Sequence, residues 1–187
     1  MEKQKKVSAI IQARMGSERL PGKVLLPILG KPVLQHIIER LRFSRFISQI
    51  VLALPNTKEN DILEEFALEN SVSYYRGSEN DILGRIYLTA KENNCNVIAE
   101  ITADKPLIDP EIIDLLIKKH LGINADHSFT HYSPKFLPIG LDAAILNFET
   151  LESAYENAKQ DHHREHITSY FYENPGIFKI TSVSPPK

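Results

Sequence analysis

Short apolar runs alternate along this chain with longer segments in which apolar residues recur every three or four positions. The first run, at residues 7–12, is rich in β-branched residues and is typical of a buried strand. After Pro32, which suits a first helical turn, Val33, Ile37 and Leu41 share one helical face. The patterns predict strands at residues 7–12, 50–54, 72–75 and 97–102, and helices at residues 32–41, 61–70, 80–93 and 110–119.

The regular alternation ends near Gly122. Strands that are separated by helices form a parallel sheet through right-handed crossovers. We therefore predict one α/β domain over residues 1–187, with a mostly parallel central sheet and helices on both faces. Residues 132–138 are the one candidate seam for a subdomain. Beyond Gly122 the patterns predict strands at residues 126–131, 141–148 and 177–183, a helix that begins near residue 148, and a helix at residues 162–172.

The composition limits the classes of function without choosing one. A hydrophobic fraction of 42% is enough for the core of one domain. The net charge of -2 argues against a general nucleic-acid surface, so any anion site must be local. Cys95 is the one cysteine, which fits a reducing compartment, and no apolar run approaches membrane-spanning length. We expect a cytoplasmic protein with no membrane or nucleic-acid partner.

A cluster of cations follows the first predicted strand. Arg14, Arg19 and Lys23 lie in a loop that Pro21 stiffens and that two glycines open. In open α/β sheets, ligands bind at the carboxyl ends of the strands. Cations at that edge suit a polyanion such as a nucleoside triphosphate. Neither the P-loop motif nor the G-x-G-x-x-G motif is present, and a solvated basic turn is the weaker interpretation.

Two further loops end at the same predicted edge. Asp104 follows the strand at residues 97–102, where a carboxylate can hold Mg²⁺, although a simple turn residue is the alternative. Gly77 and Ser78 follow the strand at residues 72–75 and could approach a base or a ribose. A helix N-cap explains the second loop equally well. We assign Asp109, which precedes a proline, to an N-cap.

Three histidines lie in residues 161–166. His162 and His166 are four positions apart and could share a helical face, so a metal-dependent hydrolase is one hypothesis. The H-E-x-x-H spacing is missing and no cysteine accompanies the histidines. We therefore favour a pocket for an acceptor, or a helix cap, over a metal site. The residues assigned to that pocket are Asp142, Arg164, Glu165 and His166.

Motifs spread over most of the chain resemble those of a known family. The longest and most specific covers residues 11–23, with the sequence IQARMGSERLPGK. On these motifs the chain closely resembles the cytidylyltransferases of spore-coat polysaccharide biosynthesis. It is more distantly similar to the synthetases that make CMP-activated Kdo and sialic acids. The weaker motifs lie at residues 30–34, 76–79, 104–109, 140–142 and 164–166.

The resemblance implies a nucleotide-diphospho-sugar transferase fold, with CTP as the nucleotide. A hydroxyl of a sugar or sugar acid would attack the α-phosphorus and give a CMP-sugar and pyrophosphate. Arg14 and Lys23 match residues that hold the triphosphate, and Asp104 matches an acid that binds Mg²⁺, so these three are the candidate catalytic residues. The resemblance also makes a homodimer plausible. The residues expected to bind the nucleotide are Gln12, Ala13, Arg14, Gly16, Ser17, Lys23, Arg76, Gly77, Ser78 and Asp81.

Departures from the family pattern leave a second hypothesis open. Ala103 and Lys105 stand where the family usually has Gly and Cys, and Ala143 and Ala144 follow Asp142 where an acidic residue is common. We also expect the chain to lack the family's C-terminal segment, which carries an acid resembling a second magnesium ligand. The alternative function is a catalytically impaired nucleotide-binding partner protein in polysaccharide assembly.

Overall fold

The structure is a computed structural model, and it describes residues 6–130, 138 and 140–183. Within these ranges, no helix has both the length and the apolar character needed to cross a membrane. The strands are β1 (Val7–Gln12), β2 (Pro27–Ile28), β3 (Lys31–Pro32), β4 (Ile47–Pro55), β5 (Ser73–Gly77), β6 (Val97–Thr102), β7 (His127–Thr130), β8 (Ala144–Asn147) and β9 (Ile180–Val183). The helices are α1 (Val33–Leu41), α2 (Asp61–Glu69), α3 (Ile82–Glu92), α4 (Pro110–Gly122), α5 (Phe148–Asn157), α6 (Asp161–Glu165) and α7 (Ile167–Glu173).

Seven strands form one sheet in the order β5-β4-β1-β6-β8-β7-β9. Strand β1 pairs in parallel with β4 on one side and with β6 on the other. Strand β8 runs antiparallel to its neighbours β6 and β7, and β9 pairs in parallel with β7. The predicted α/β fold with a mostly parallel sheet is therefore confirmed.

Helices cover both faces of this sheet, because successive side chains of a strand point to opposite faces. In β1, Ala9 and Ile11 pack into the cluster that contains Leu34 of α1, together with α2 and α4. Ile10 packs on the other face with Ile86 of α3, together with α5 and α7. Each fully buried aliphatic side chain contributes about 1.5–3 kcal/mol to stability. One cluster lies on each face of the sheet, so the sheet and the helices on its two faces form three layers, as predicted.

The parallel strands also place the three predicted site loops, which follow β1, β5 and β6, at one edge of the sheet. Gln12, the last residue of β1, lies level with Ala53 and with Thr102, the last residue of β6. Pro55 of β4 lies level with Gly77 of β5. The loops that follow these strands therefore share the carboxyl edge of the sheet, as the sequence predicted.

Several predicted boundaries are wrong. The helix predicted from residue 80 begins at Ile82, because Asp81 is its N-cap and accepts a hydrogen bond from the Gly84 N–H at 2.8 Å. The helix predicted at residues 162–172 is two helices, because the backbone of His166 leaves the helical conformation at φ -115° and ψ 89°. The short hairpin of β2 and β3 was not predicted.

The strands after Gly122 are shorter than the patterns indicate. The strand predicted at residues 141–148 begins only at Ala144, and the one predicted from residue 177 begins at Ile180. Strand β7 ends at Thr130, and residue 131 lies outside the described residues, as does most of the predicted seam.

Candidate active site

The loop that carries the cations is held at both ends by hydrogen bonds that its own backbone N–H groups donate. The Met15 N–H donates to Asn60 Oδ1 at 2.8 Å, and Asn60 is fully buried. Asn60 is the N-cap residue of α2, but its side chain holds this loop instead of capping the helix. The Gly22 N–H donates to the Met15 carbonyl at 2.9 Å, with Gly22 in the left-handed region at φ 70°. The loop is thereby fixed above the ends of β1 and β6.

A cleft of about 550 Å³ opens beside this loop, and we call it the first cleft. It is bounded by the ends of β1 and β6, the start of α3 and the junction of α6 with α7. Four cationic side chains line it. Three belong to the loop after β1, namely Arg14, Arg19 and Lys23, and the fourth is Arg85, which was not assigned from the sequence. The predicted site residues in its lining are Gln12, Ala13, Arg14, Ser17, Lys23, Asp104, Glu165 and His166.

Two of the candidate catalytic residues bind each other. Lys23 Nζ lies 2.6 Å from Asp104 Oδ2, and the Thr102 hydroxyl donates to Asp104 Oδ1 at 2.8 Å. Burial disfavours the charged carboxylate, but the hydrogen bonds from Lys23 and Thr102 outweigh it and lower the pKa of Asp104. The carboxylate is therefore ionised, 40% exposed and open to the first cleft. A carboxylate of this kind suits Mg²⁺, which prefers oxygen ligands and keeps several waters.

Arg85 is the functional candidate that sequence reasoning missed. It lies on α3 and is 1% exposed, yet it also lines the first cleft. Its Nη1 donates to the carbonyls of Ser78 and Glu79, while its Nε has no partner among the described residues. Burial and the nearby charge of Arg14 lower the pKa of Arg85 to about 10. The signal in the sequence was a cation within the apolar stripe of a predicted helix.

Arg76 does not line the first cleft. Its Nη1 pairs with Glu64 at 2.6 Å and its Nη2 pairs with Asp61 at 2.7 Å. The hydrogen bonds to these two carboxylates raise the pKa of Arg76. In this geometry Arg76 ties β5 to α2, and its predicted contact with the nucleotide stays a prediction.

The other residues predicted to surround the base also have structural partners. A Cβ added to Gly77 would lie 3.1 Å from both Arg85 Cγ and Tyr75 Cε1, so these two side chains would have to shift. The Ser78 hydroxyl accepts a hydrogen bond from the Asp81 N–H at 3.1 Å. A Cβ on Gly16 would lie 2.8 Å from Glu59 Oε1. These three residues are not part of the lining of the first cleft.

Asp81 and Arg164 were predicted to bind the nucleotide and the acceptor, respectively, and the structure brings them together. Asp81 Oδ2 accepts from Arg164 Nη2, while Asp81 Oδ1 caps α3. The Arg164 guanidinium lies 4.9 Å from the centroid of the Tyr155 ring and donates to the Tyr155 carbonyl at 2.9 Å. The pair fixes α6 against α3, and neither side chain lines the first cleft.

A second cleft of about 460 Å³ adjoins the first. Lys105 Nζ pairs there with Asp142 Oδ2 at 2.5 Å. Gln12 Nε2 donates to Glu100 Oε1 at 2.5 Å, and burial raises the pKa of Glu100 despite this bond and the charge of Lys105. The two clefts share Gln12, Thr102, Glu165 and His166 in their linings.

His162 and His166 do not share a helical face, because α6 ends at Glu165, between them. His162 and His163 instead contact the two oxygens of Glu173, at 2.9 and 2.7 Å. These hydrogen bonds lower the pKa of Glu173. The three side chains could in principle hold a metal ion, but the cluster lies apart from both clefts, whereas His166 lines them.

Comparison with known proteins supplies a family. A family model described as Cytidylyltransferase matches residues 8–185. The chain is 39% identical over 182 residues to the uncharacterized protein MJ1063 of Methanocaldococcus jannaschii, covering 97% of this chain and 73% of that protein. It is 31% identical over 183 residues to the spore coat polysaccharide biosynthesis protein SpsF of Bacillus subtilis, covering 95% and 75%.

A solved structure agrees with these relatives. A cytidylyltransferase from Leptospira borgpetersenii matches with a TM-score of 0.91 and 36% identity, and the match covers 98% of this chain and 77% of that chain. The sequence and the fold are thus similar to the same kind of protein.

Proposed function

Because this chain belongs to the cytidylyltransferase family, we propose that it transfers CMP from CTP to a hydroxyl of a sugar or sugar acid and releases pyrophosphate, in the biosynthesis of a polysaccharide. One observation carries this proposal. The cationic first cleft and the adjoining second cleft meet along Gln12, Thr102, Glu165 and His166. A nucleotide in one cleft and an acceptor in the other would have their reacting groups at that boundary.

The first cleft has the charges that a triphosphate needs. Arg14, Arg19, Lys23 and Arg85 line it, and the backbone of Ala13 and Arg14 follows directly on β1. Guanidinium and ammonium groups form strong charge-assisted hydrogen bonds with phosphate oxygens. We assign Arg14 and Lys23 to the triphosphate, as the family resemblance implies. We add Arg85, which lines the same cleft and donates to the carbonyls of Ser78 and Glu79.

Asp104 is the residue that we propose as the ligand of Mg²⁺. When bound, the ion would offset negative charge on the phosphates. Lys23 would exchange its contact with Asp104 for one with a phosphate oxygen. Its ammonium would then stabilise the charge that develops on the leaving pyrophosphate.

The proposed step is an in-line displacement at phosphorus. The acceptor oxygen forms a bond to the α-phosphorus while the bond from that phosphorus to the bridging oxygen breaks. The bridging oxygen keeps the electron pair and leaves as pyrophosphate, and the acceptor proton is lost to water. The residues at the boundary act mainly by position, which converts a bimolecular reaction into an effectively unimolecular one. A homodimer and a cytoplasmic location stay predictions.

The test measures CTP binding and turnover separately. We expect calorimetry to show CTP binding that Mg²⁺ strengthens and that ATP, GTP and UTP do not match. We expect Arg14→Ala to weaken CTP binding by roughly 10-fold to 100-fold, the usual cost of losing one or two charge-assisted hydrogen bonds. Asp104→Asn should remove the effect of Mg²⁺ on binding and abolish pyrophosphate release with a sugar panel.

Two exposed residues supply matched controls. Arg45→Ala removes a cation at the amino end of β4, and Glu92→Gln neutralises an acid at the end of α3. Both variants should bind CTP like the unaltered chain. CTP binding without turnover of any sugar would favour the impaired nucleotide-binding partner, and loss of neither activity in Arg14→Ala and Asp104→Asn would refute the assignment.

A further inference from the structure

Two histidines of α6 converge on a glutamate at the end of α7. His162 Nε2 lies 2.9 Å from Glu173 Oε1, and His163 Nε2 lies 2.7 Å from Glu173 Oε2. Each residue offers one ligand atom that lies within 4.8 Å of the other two. The cluster thus brings two imidazole nitrogens and a carboxylate to one point, and none of the three residues lines the first or the second cleft.

This set of ligand atoms matches a divalent transition metal. Imidazole nitrogens and carboxylate oxygens are common ligands of Zn²⁺, at about 2.0–2.2 Å. Tetrahedral coordination at that distance separates the ligand atoms by roughly 3.3 Å, so rotations of the three side chains suffice to receive the ion. Mg²⁺ prefers oxygen ligands and is a poor match for a site with two imidazoles.

The charge of Glu173 favours a cation at this place. Glu173 is the last residue of α7, where the carbonyl end of a helix disfavours a negative charge. Within the described part of the chain, no lysine or arginine forms an ion pair with it, and His162 and His163 are cations only when protonated. A bound divalent cation would compensate the carboxylate without protonation of either histidine.

The exposure of the three side chains suits an ion that enters from solution. The side chains of His162 and Glu173 are 45% and 49% exposed, so the ion can keep water as a further ligand. His163 is buried, and its ring packs edge-on against Tyr170 of α7 with 5.4 Å between the ring centroids. Packing therefore fixes one ligand, while the other two can adjust around the ion.

We propose that His162, His163 and Glu173 bind one Zn²⁺ ion, and that this ion fixes α6 against α7. The site connects the start of α6 to the end of α7, on either side of the break at His166. Glu165 and His166 lie between the ligands in sequence and line both clefts. The ion is thus a structural ion that holds these two residues at the clefts, outside the proposed reaction.

The test titrates Zn²⁺ into the untagged full chain by calorimetry, without nucleotide and with excess Mg²⁺ to occupy oxygen-rich sites. We expect one Zn²⁺ per chain. Glu173→Gln and His162→Asn should each weaken Zn²⁺ binding at least about 10-fold, because even the loss of an outer-shell partner costs roughly 10-fold to 100-fold in metal sites. Both positions are exposed, so both variants should keep the circular dichroism of the unaltered chain.

Two changes outside the cluster serve as controls. His36→Asn removes a histidine of α1, and Glu156→Gln neutralises an exposed acid of α5. Both variants should bind Zn²⁺ like the unaltered chain. The site is rejected if the unaltered chain shows no saturable binding, or if binding persists in Glu173→Gln and His162→Asn, which would assign Zn²⁺ to scattered surface groups.

Hydrogen exchange tests whether the ion fixes the two helices. At a Zn²⁺ concentration of about ten times Kd, amides of residues 161–173 that exchange through opening of the site should exchange about 10-fold more slowly. Glu173→Gln should show no such protection. Zn²⁺ binding without protection of this segment would overturn the structural role. Neither measurement contains CTP, so failure of the proposed function would appear only in the CTP titration and leaves the outcome for Zn²⁺ separate.

Discussion

Lys23 and Asp104 bind each other at 2.6 Å, although the sequence alone assigned one to phosphate and the other to Mg²⁺. The contact compensates both charges at a site that otherwise would concentrate cations. It also couples the two assignments, because a phosphate that draws Lys23 away releases the Asp104 carboxylate. Nothing in the spacing of residues 23 and 104 indicates this contact. It follows from the loop geometry that Asn60 and Gly22 impose.

Two arginines mark how far single residues could be predicted. Arg76 lies in a motif at a predicted strand end, but Asp61 and Glu64 of helix α2 bind it. Arg85 lies in no predicted site, but the turn of α3 places it under the 78–79 carbonyls and beside the first cleft. A motif predicts which sheet edge a residue reaches. It does not predict which neighbouring element binds the side chain.

His127 is a buried histidine that should make stability depend on pH. It is 0% exposed, neither ring nitrogen has a hydrogen-bond partner among the described residues, and burial lowers its pKa from 6.5 to about 4. As the pH falls below 6.5, the unfolded chain takes up a proton that the folded chain refuses until about pH 4. This one residue should therefore remove up to about 3 kcal/mol of stability between those values.

The variant His127→Phe tests this dependence. Phenylalanine keeps the ring contacts with Phe129 and Phe171 and cannot be protonated. Urea unfolding from pH 8 to pH 4 should give a stability difference between the two chains that is constant above pH 7 and grows below pH 6.5. A difference that does not change with pH would show that His127 is protonated in the folded chain as readily as in the unfolded one.

At the level of elements, the periodic patterns predicted the core strands and the helices that cover them. Val7–Gln12 and Val97–Thr102 have the predicted bounds, because buried parallel strands are continuous apolar runs. The two-residue strands β2 and β3 are too short to show a period. The break at His166 is likewise invisible to periodicity, since apolar residues continue into α7. That break is what brings Glu165 and His166 to the clefts.

The start of α3 should be unusually sensitive to a change that normally stabilises helices. Gly84→Ala would gain about 1 kcal/mol of helix propensity. However, its Cβ would lie 2.7 Å from Asp81 Cγ and 3.1 Å from Arg164 Nη2, so the N-cap and the bond to α6 must shift. The disturbed N-cap and the disturbed bond between Asp81 and Arg164 should together cost about 2–3 kcal/mol. After the gain in helix propensity, we therefore expect a net loss of roughly 1–2 kcal/mol.

Gly122→Ala, at the end of α4, is the matched control. No atom lies within 4 Å of a Cβ at that position, so this variant should gain up to about 1 kcal/mol. Denaturant unfolding of both variants checks the contrast. If Gly84→Ala were as stable as Gly122→Ala, the bonds of Asp81 would contribute little to the position of α3.

At the level of the whole molecule, the first cleft joins parts of the chain that are far apart in sequence. Its lining comes from the loop after β1, the loop after β6, the start of α3 and the α6–α7 junction. These elements belong to both faces of the sheet. A ligand that contacts all of them binds only the folded chain, and its binding free energy adds to the stability of the fold.

CTP with Mg²⁺ should therefore raise the melting temperature. At a concentration of 100 times Kd, a ligand stabilises the folded state by about 2.7 kcal/mol. For a domain of this size, that corresponds to an increase of roughly 5–11 °C. Differential scanning fluorimetry should show the increase in the unaltered chain and a much smaller one in Arg14→Ala, whereas Arg45→Ala should respond fully.

Because Arg14 is exposed, the two variants should melt alike without nucleotide, so that the contrast reports binding alone. An equal increase in both variants would place CTP away from the loop that follows β1.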